Sequence, residues 1–291
     1  MQSSPRQPAE SSPSPEDAAE DGSERTQREE PRPNGTIVAK IGGSTLGSHD
    51  TTLEDLVTLQ RRGVNPVVVH GGGKIISEWM ERQGVRPRFV RGLRVTDPRS
   101  LEIVVAVLAG LINKTLVASI LALGGQAVGL SGADGGMLQA RMADSELGLV
   151  GEVTAVDPGP IGAVLNFGSI PVVAPIAAHY QNGRPVDPPL LNVNADTAAG
   201  EIAAALGAER LVILTDVEGV LDSSRRLISR LTERQARGLM RSSVVAGGMV
   251  PKLEACVTAL ERVDVAQIVD GRKPRALLDC VSGKPLGTRI G

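Results

Sequence analysis

The sequence predicts an α/β fold with a mostly parallel sheet covered by helices on both faces. Three observations carry this. Short, continuously apolar runs recur along the chain: "TIVAKI", "NPVVVH", "AVGLS", "PVVAPI", "RLVILTD" and "VAQIVD". Strands buried on both faces read this way, whereas half-exposed strands alternate. Between these runs lie segments with apolar residues at helical spacing. Aromatic residues make up only 1% of the chain, so the core must be assembled from Ala, Val, Leu and Ile in close-packed layers.

Residues 1–34 are rich in Ser, Pro, Glu and Gln and have no aliphatic period. Such a segment buries too little apolar area to offset its ordering entropy and is expected to be a disordered polar leader. From residue 35 the texture changes. "TIVAKI" is a buried strand that "GGST" interrupts, and residues 51–62 carry a helical pattern that Gly63 ends. "NPVVVH" is the second strand, followed by three glycines and the helix "KIISEWMERQG". Residues 98–122 read as one long helical stretch, "AVGLS" and "PVVAPI" as strands, and "DTAAGEIAAALGA" as a helix. The strand "RLVILTD", the helix "PKLEACVTALERV", the strand "VAQIVD" and a strand-like "GTRIG" complete the order.

The bulk properties narrow the function classes. The chain has 291 residues, enough for one large domain or two small ones, and a formal charge of −2, which gives no support for nucleic acid as a partner. The strictly apolar run from Ile103 to Ile112 is well short of the roughly 20 residues of a membrane span, so no membrane is expected. The polar, acidic N-terminus is unlike a secretory signal, and a cytoplasmic location is the expectation. Cys256 and Cys280 lie far apart without metal-ligand spacing and read as reduced core thiols.

Unusual residues cluster at strand exits, where open α/β sheets collect ligands. Gly42-Gly43 follows the first strand and Gly71-Gly72-Gly73 the second. Glycines let backbone N–H groups approach an anion. Neither loop is a Walker A motif: with Gly73-Lys74 as its end, the first glycine falls on Val68 and the hydroxyl residue on Ile75. The dinucleotide pattern also fails, at Ile76. A tight turn is the competing reading. Lys40 sits in a strand that otherwise reads as buried, and a buried lysine needs a partner or an escape to water. Lys252 lies near a helix start, where the dipole disfavours a cation unless an anion is held there. Asp196 reads either as a helix N-cap or as a carboxylate shared by the two lysines. Arg94 offers a fork suited to a carboxylate, and Asp216 ends a strand before a glycine turn. His49, His70 and His179 have no nucleophile motif around them. Chemistry without a general base fits best: a carboxylate nucleophile is already ionised at neutral pH, and catalysis is then positioning plus neutralisation of phosphoryl charge.

In chain order, "KIGGS", "VVVHGGGK", "RGLRVTD", "GLINKTL", "AVGLSGADGG", "NVNADTAAG", "LTDVEGVLD", "GGMVPK" and "GTRI" resemble the amino acid kinase family over residues 36–291. The combination of "HGGG", "GLRVTD" and "NVNADTAAG" is most similar to members that phosphorylate N-acetyl-L-glutamate. The resemblance implies a three-layer α/β/α sandwich in two lobes, about 35–195 for the acyl substrate and about 196–291 for ATP. It implies ATP with Mg²⁺ as co-substrate and transfer to the side-chain carboxylate of N-acetyl-L-glutamate, a step of arginine biosynthesis. Lys40 and Lys252 then match the lysines that stabilise the phosphoryl group in transit, and Asp196 the carboxylate that organises both. Gly42 and Gly43 match the loop facing that phosphate. Gly72, Gly73, Arg94 and Asn192 match the acyl-substrate contacts, with no protein metal ligand. Asp216, Val217, Gly219, Val220, Leu221, Val244, Val245 and Ala246 match nucleotide-binding segments. Lys74 is given no role. Arginine-inhibited hexameric members carry an apolar helix where this chain has its polar leader, so a homodimer is expected. The alternatives are a kinase of a carrier-linked aminoadipate or glutamate, and a catalytically silent amino-acid sensor on the same fold.

Overall fold

In the computed structural model the described residues are 1, 35–42, 51–242 and 244–291. The expected leader therefore lies almost wholly outside them, as do Gly43 and His49. The elements run β1 (Thr36–Ile41), α1 (Thr52–Arg61), β2 (Asn65–His70), α2 (Gly73–Arg82), β3 (Phe89–Val90), β4 (Leu93–Arg94) and α3 (Pro98–Val105). A π-helical segment, Ala106–Ile112, joins α3 to α4 (Asn113–Ala122). Then come β5 (Ala127–Ser131), β6 (Leu138–Met142), β7 (Gly151–Val156), α5 (Gly159–Asn166), β8 (Ile170–Ala174), β9 (Ile176–Gln181) and β10 (Arg184–Asn192). The chain ends with α6 (Ala195–Leu206), β11 (Arg210–Thr215), β12 (Arg230–Leu231), α7 (Glu233–Arg241), α8 (Met249–Ala259), β13 (Val265–Asp270), α9 (Ala276–Val281) and β14 (Thr288–Ile290).

Eight strands form one sheet in the order β12-β14-β13-β11-β1-β2-β8-β5. The six from β13 to β5 are parallel, and β14 pairs antiparallel to β13. Two apolar cores lie on its two faces, one under α5, α6, α7 and α8 and the other under α1, α2, the α3–α4 run and α9. This is the α/β/α sandwich that the buried runs predict. The predicted strands and helices are all present, with ends shifted by a few residues. "PVVAPI" is divided at Pro175, where β8 leaves the main sheet and β9 enters a second one.

That second sheet, β10-β9-β6-β7, has no counterpart in the sequence reading. Its outer strands are half-exposed, and β10 carries Pro185, Pro188 and Pro189, which speak against a strand when only the sequence is read. Its position matters, because β10 delivers Asn192 to the mouth of the main sheet. The helical run Pro98–Ala122 is long and apolar enough, by length and composition, to cross a membrane. Here one face of it, including Val104, Leu108, Ile112, Leu116 and Ile120, is buried in the second core.

Candidate active site

β1 lies at the middle of the sheet, between β11 and β2, and its C-terminal end carries Lys40 into the first core's face. The side chain is only 8% exposed. Asp196, 4% exposed, meets it from the first turn of α6, with Lys40 Nζ and Asp196 Oδ1 paired at 2.8 Å. From α8, Lys252 Nζ donates a 2.9 Å hydrogen bond to the other carboxylate oxygen. One carboxylate thus bridges two ammonium groups that are 212 residues apart in sequence, 252 less 40. Asp196 is not the helix cap: Asn194 takes that position and accepts from the N–H groups of Asp196 and Thr197. The cap frees the Asp196 side chain for the lysines. Lys252 stands in the first turn of a helix that begins at Met249, two residues before the predicted start at Pro251.

Burial lowers the pKa of Lys40, as does the charge of Lys252, and Asp196 opposes both. Burial alone raises that of Asp196, but the two ammonium groups outweigh it and hold the carboxylate below its ordinary range. The triad is therefore a buried ionic unit with a net positive charge, aimed at a cavity of about 350 Å³. The helices α2, α6 and α8 all start at this cavity, and helix starts favour anions.

Nine of the predicted residues line that one cavity: Lys40, Gly42, Gly72, Gly73, Arg94, Asn192, Asp196, Asp216 and Lys252. Gly72 needs to be a glycine for reasons of space. A Cβ there would meet Ile112 of the π-helical segment and come within 2.9 Å of Leu108. Arg94 is 8% exposed rather than a surface arginine. Its guanidinium donates to Gly73 O at 2.8 Å and Ser77 Oγ at 2.9 Å, and Phe89 lies 4.8 Å beneath it. Asn192 Nδ2 donates to Thr96 Oγ1 at 3.2 Å, and Thr96 in turn donates to Arg94 O at 3.0 Å. Arg94 and Asn192 are thereby held in one network on the same wall. Asp216 stands just beyond the end of β11, near enough to Lys40 to favour its ammonium form.

Among the described residues, the other predicted ones do not line this cavity. Val217 and Val244 are exposed, while Val220 and Val245 are buried in the core. The Val220 N–H is taken by Thr288 Oγ1 at 2.8 Å. Gly219, Leu221 and Ala246 lie on the same two segments, and Gly219 packs closely against Thr288 and Leu227. Lys74, given no role from the sequence, does line the cavity.

Several supporting residues had no signal in the sequence. His70 is fully buried at the end of β2; its Nδ1 lies 3.3 Å from Gly71 O and its Nε2 3.2 Å from Asn113 Nδ2. Burial pushes its pKa down to about 4, so the ring is neutral at physiological pH. Nδ1–H then donates to the glycine loop and Nε2 accepts from Asn113. Asn113 also donates to Leu130 O and Val172 O, tying the loop to β5 and β8. Phe89, Thr96 and Asn194 complete this set; only the Asn before a helix start is recognisable as a cap from sequence.

Residues 35–270 match the amino acid kinase family. An acetylglutamate kinase of Dehalococcoides mccartyi is 42% identical over 257 residues, spanning 88% of this chain and 94% of that one. One from Rhizorhabdus wittichii is 47% identical over 274 residues, spanning 88% and 89%. The solved N-acetylglutamate synthase of Neisseria gonorrhoeae, complexed with coenzyme A and N-acetyl-glutamate, superposes with a TM-score of 0.74 at 27% identity. That likeness covers 88% of this chain but 59% of the longer synthase. Carbamate kinase from Giardia lamblia shares the fold, with a TM-score of 0.63 at 17% identity over 88% of this chain and 98% of that one. With a central sheet that brings two lysines, one carboxylate and a glycine loop to a single cavity, and with these relatives, the chain belongs to the amino acid kinase family.

Proposed function

We propose that the protein transfers the γ-phosphoryl group of ATP to the side-chain carboxylate of N-acetyl-L-glutamate, forming the acyl phosphate used in arginine biosynthesis. The carrying observation is the bridge of Lys40, Asp196 and Lys252 in a cavity that Arg94 and Asn192 also line. The relatives named acetylglutamate kinase, at 42% and 47% identity, support the choice of acyl substrate.

The attacking carboxylate needs no base, since it is ionised at neutral pH. Arg94 and Asn192 hold the substrate's α-carboxylate end, which points the other carboxylate toward Lys40. Gly72 and Gly73 bring backbone N–H groups to the reacting end, and Gly42 belongs to the loop that faces the transferred phosphate. Lys40 and Lys252 neutralise charge on the oxygens of the phosphoryl group in flight, and Asp196 keeps both ammonium groups in place through the reaction. Among the described residues no three His, Cys, Asp or Glu side chains are grouped to hold a metal. A magnesium ion bound with the nucleotide would offset charge on its phosphates. Asp216, Val217, Gly219, Val220, Leu221, Val244, Val245 and Ala246 form the nucleotide side. The lobes meet near Asp196 within one continuous sheet.

A cytoplasmic location is part of the proposal, as is a homodimer, which accords with β5 as an edge strand among the described residues and with the neighbouring exposed apolar face of the α3–α4 run, where Leu111 and Leu121 are 44% and 47% exposed. Light scattering on the purified chain tests this; a monomer at micromolar concentration would exclude it.

The activity test is ADP release from MgATP with N-acetyl-L-glutamate, L-glutamate, L-aspartate or carbamate, trapping acyl phosphate with hydroxylamine. Turnover with N-acetyl-L-glutamate alone is expected. ATP binding without turnover on any of the four would transfer the argument to a carrier-linked acyl substrate or to a sensor. Lys252→Ala is expected to lower kcat by at least about 100-fold, the scale of a lost transition-state charge contact, with acetylglutamate affinity nearly unchanged. Undiminished turnover in that variant would remove Lys252 from the mechanism.

A further inference from the structure

Four cations line the catalytic cavity, Lys40, Lys74, Arg94 and Lys252, against two carboxylates, Asp196 and Asp216. Three of the cations are anchored by the protein itself. Asp196 holds Lys40 and Lys252. Arg94 is fastened to Gly73 O, Ser77 Oγ and the Met80 sulfur. Lys74 differs: it is exposed, and its ammonium group makes no hydrogen bond or ion pair with a described residue. Glu78 stands one turn further along α2, yet the two side chains do not pair. A lysine N-terminal to a glutamate is the weaker order on a helix.

The position is unfavourable for a cation in the empty protein. Lys74 is the second residue of α2, where the helix dipole repels positive charge, and it shares the cavity with three like charges. An anion in the cavity turns this cost into an attraction. The fold indicates which anion. β1 has β11 on one side and β2 on the other. Asp216 follows β11, and α2 follows β2 through the glycine loop, so Asp216 and Lys74 approach Lys40 from opposite flanks. The Arg94 guanidinium is bonded to the first turn of α2, at Gly73 beside Lys74 and at Ser77 three residues on. Lys74 therefore belongs to the wall of Arg94 and not to the nucleotide side.

We propose that Lys74 is a substrate-binding residue that works beside Arg94 on the acyl substrate's free carboxylate, the one that is not phosphorylated. The inference rests on the substrate proposed above, a dicarboxylate whose two charges match the two positive charges left over in the cavity. Arg94 is fixed in place over Phe89. Lys74 supplies a mobile point charge on a flexible stem, able to meet the carboxylate as it enters and to follow it into place. Because it holds the end that does not react, it binds the ground state and the transition state alike. Its contribution then falls on KM and not on kcat.

The test compares wild type, Lys74→Gln and Lys74→Arg in the full chain. Binding of N-acetyl-L-glutamate is measured by titration calorimetry without ATP. The same is done with 4-acetamidobutyrate, which keeps the reacting carboxylate and the acetamido group but lacks the other carboxylate. Lys74→Gln is expected to bind N-acetyl-L-glutamate about 5-fold more weakly, the upper range for an exposed ion pair, and Lys74→Arg to stay close to wild type. All three are expected to bind 4-acetamidobutyrate alike. In turnover, Lys74→Gln should raise the KM for N-acetyl-L-glutamate by the same factor, with kcat and the KM for ATP kept. Without ligand it should melt at or above wild type, because a repelling charge is gone. Equal losses with both compounds, or an effect on the KM for ATP alone, would overturn the assignment. A ligand-free Lys74→Gln protein that melts below wild type would make Lys74 a structural residue instead. A wild type that neither binds nor turns over N-acetyl-L-glutamate refutes the proposed substrate. A wild type that does both, with Lys74→Gln indistinguishable from it, refutes the role of Lys74 alone.

Discussion

Removing the Asp196 carboxylate would leave the ammonium groups of Lys40 and Lys252 facing one another in a buried place with no anion between them. Breaking one partner of a buried ionic unit typically destabilises by about 3–5 kcal/mol. Asp196→Asn is therefore expected to lose stability on that scale in urea unfolding at pH 7, along with turnover. A loss below about 1 kcal/mol would mean that the lysines find other partners. His70 carries a separate pH signature. Its unfolded pKa is near 6.5 and burial lowers the folded one to about 4. Because the unfolded chain takes up a proton that the folded one refuses, its contribution is complete above pH 6.5 and is lost as pH falls toward 4. The loss reaches about 3 kcal/mol. Unfolding measured from pH 7 to 4 in wild type and His70→Gln isolates that slope; parallel curves would refute it. At this scale the sequence was informative where a residue contradicted its surroundings. Lys40 was visible as a charge in an apolar strand. His70 was not, because nothing in "VVVH" reveals that Asn113 waits beside it. Cys256 and Cys280 read correctly as buried thiols, and burial pushes the Cys280 thiol up to about 12.

Among the elements, the glycine loop and the π-helical segment form one fitted pair. An Ala at position 72 adds a methyl that collides with Ile112 and Leu108. Overpacking of this sort costs about 1–3 kcal/mol, shared between stability and displacement of the loop. Gly72→Ala is expected to fold, to melt lower, and to raise the KM for the acyl substrate at least about 10-fold, by that same energy. An unchanged KM would show that the loop does not receive that substrate. The glycines were legible as a loop, but not the reason for them. The helix widens to π geometry directly behind Gly72, a local change that periodicity cannot register, since both sides of it keep a helical apolar stripe. The β6, β7, β9 and β10 sheet was missed for a different reason. Its outer strands β7 and β10 are half-exposed, and β10 carries prolines, so neither leaves a continuous apolar run to read. α7 was missed because Ala236 is its one buried residue.

For the whole molecule, the central strand order joins the early and late halves of the chain. β1 and β2 pair side by side, β11 flanks β1, and the first core takes Val38, Val67 and Ile213 together with Leu253 and Ile290. Because the early and late halves of the chain share a sheet and both cores, they are expected to unfold as one. Trp79 on α2 is the only tryptophan and reports on the early half. Its fluorescence and the far-ultraviolet circular dichroism should therefore give coincident urea transitions. Separate midpoints would make the two halves independently stable.

By itself the sequence determined the layer architecture, the order of the main strands and helices, and which charged residues sat where a bland chain would have none. It could do so because burial on both faces of a strand and on one face of a helix leaves a periodic trace in residue type. Only the tertiary structure decided that Asp196 bridges both lysines while Asn194 caps the helix. It alone placed Arg94 and Asn192 in one network through Thr96, and Lys74 in the same cavity. These are contacts between residues far apart in the chain. They depend on strand register and on which helix starts abut, quantities that local periodicity does not contain.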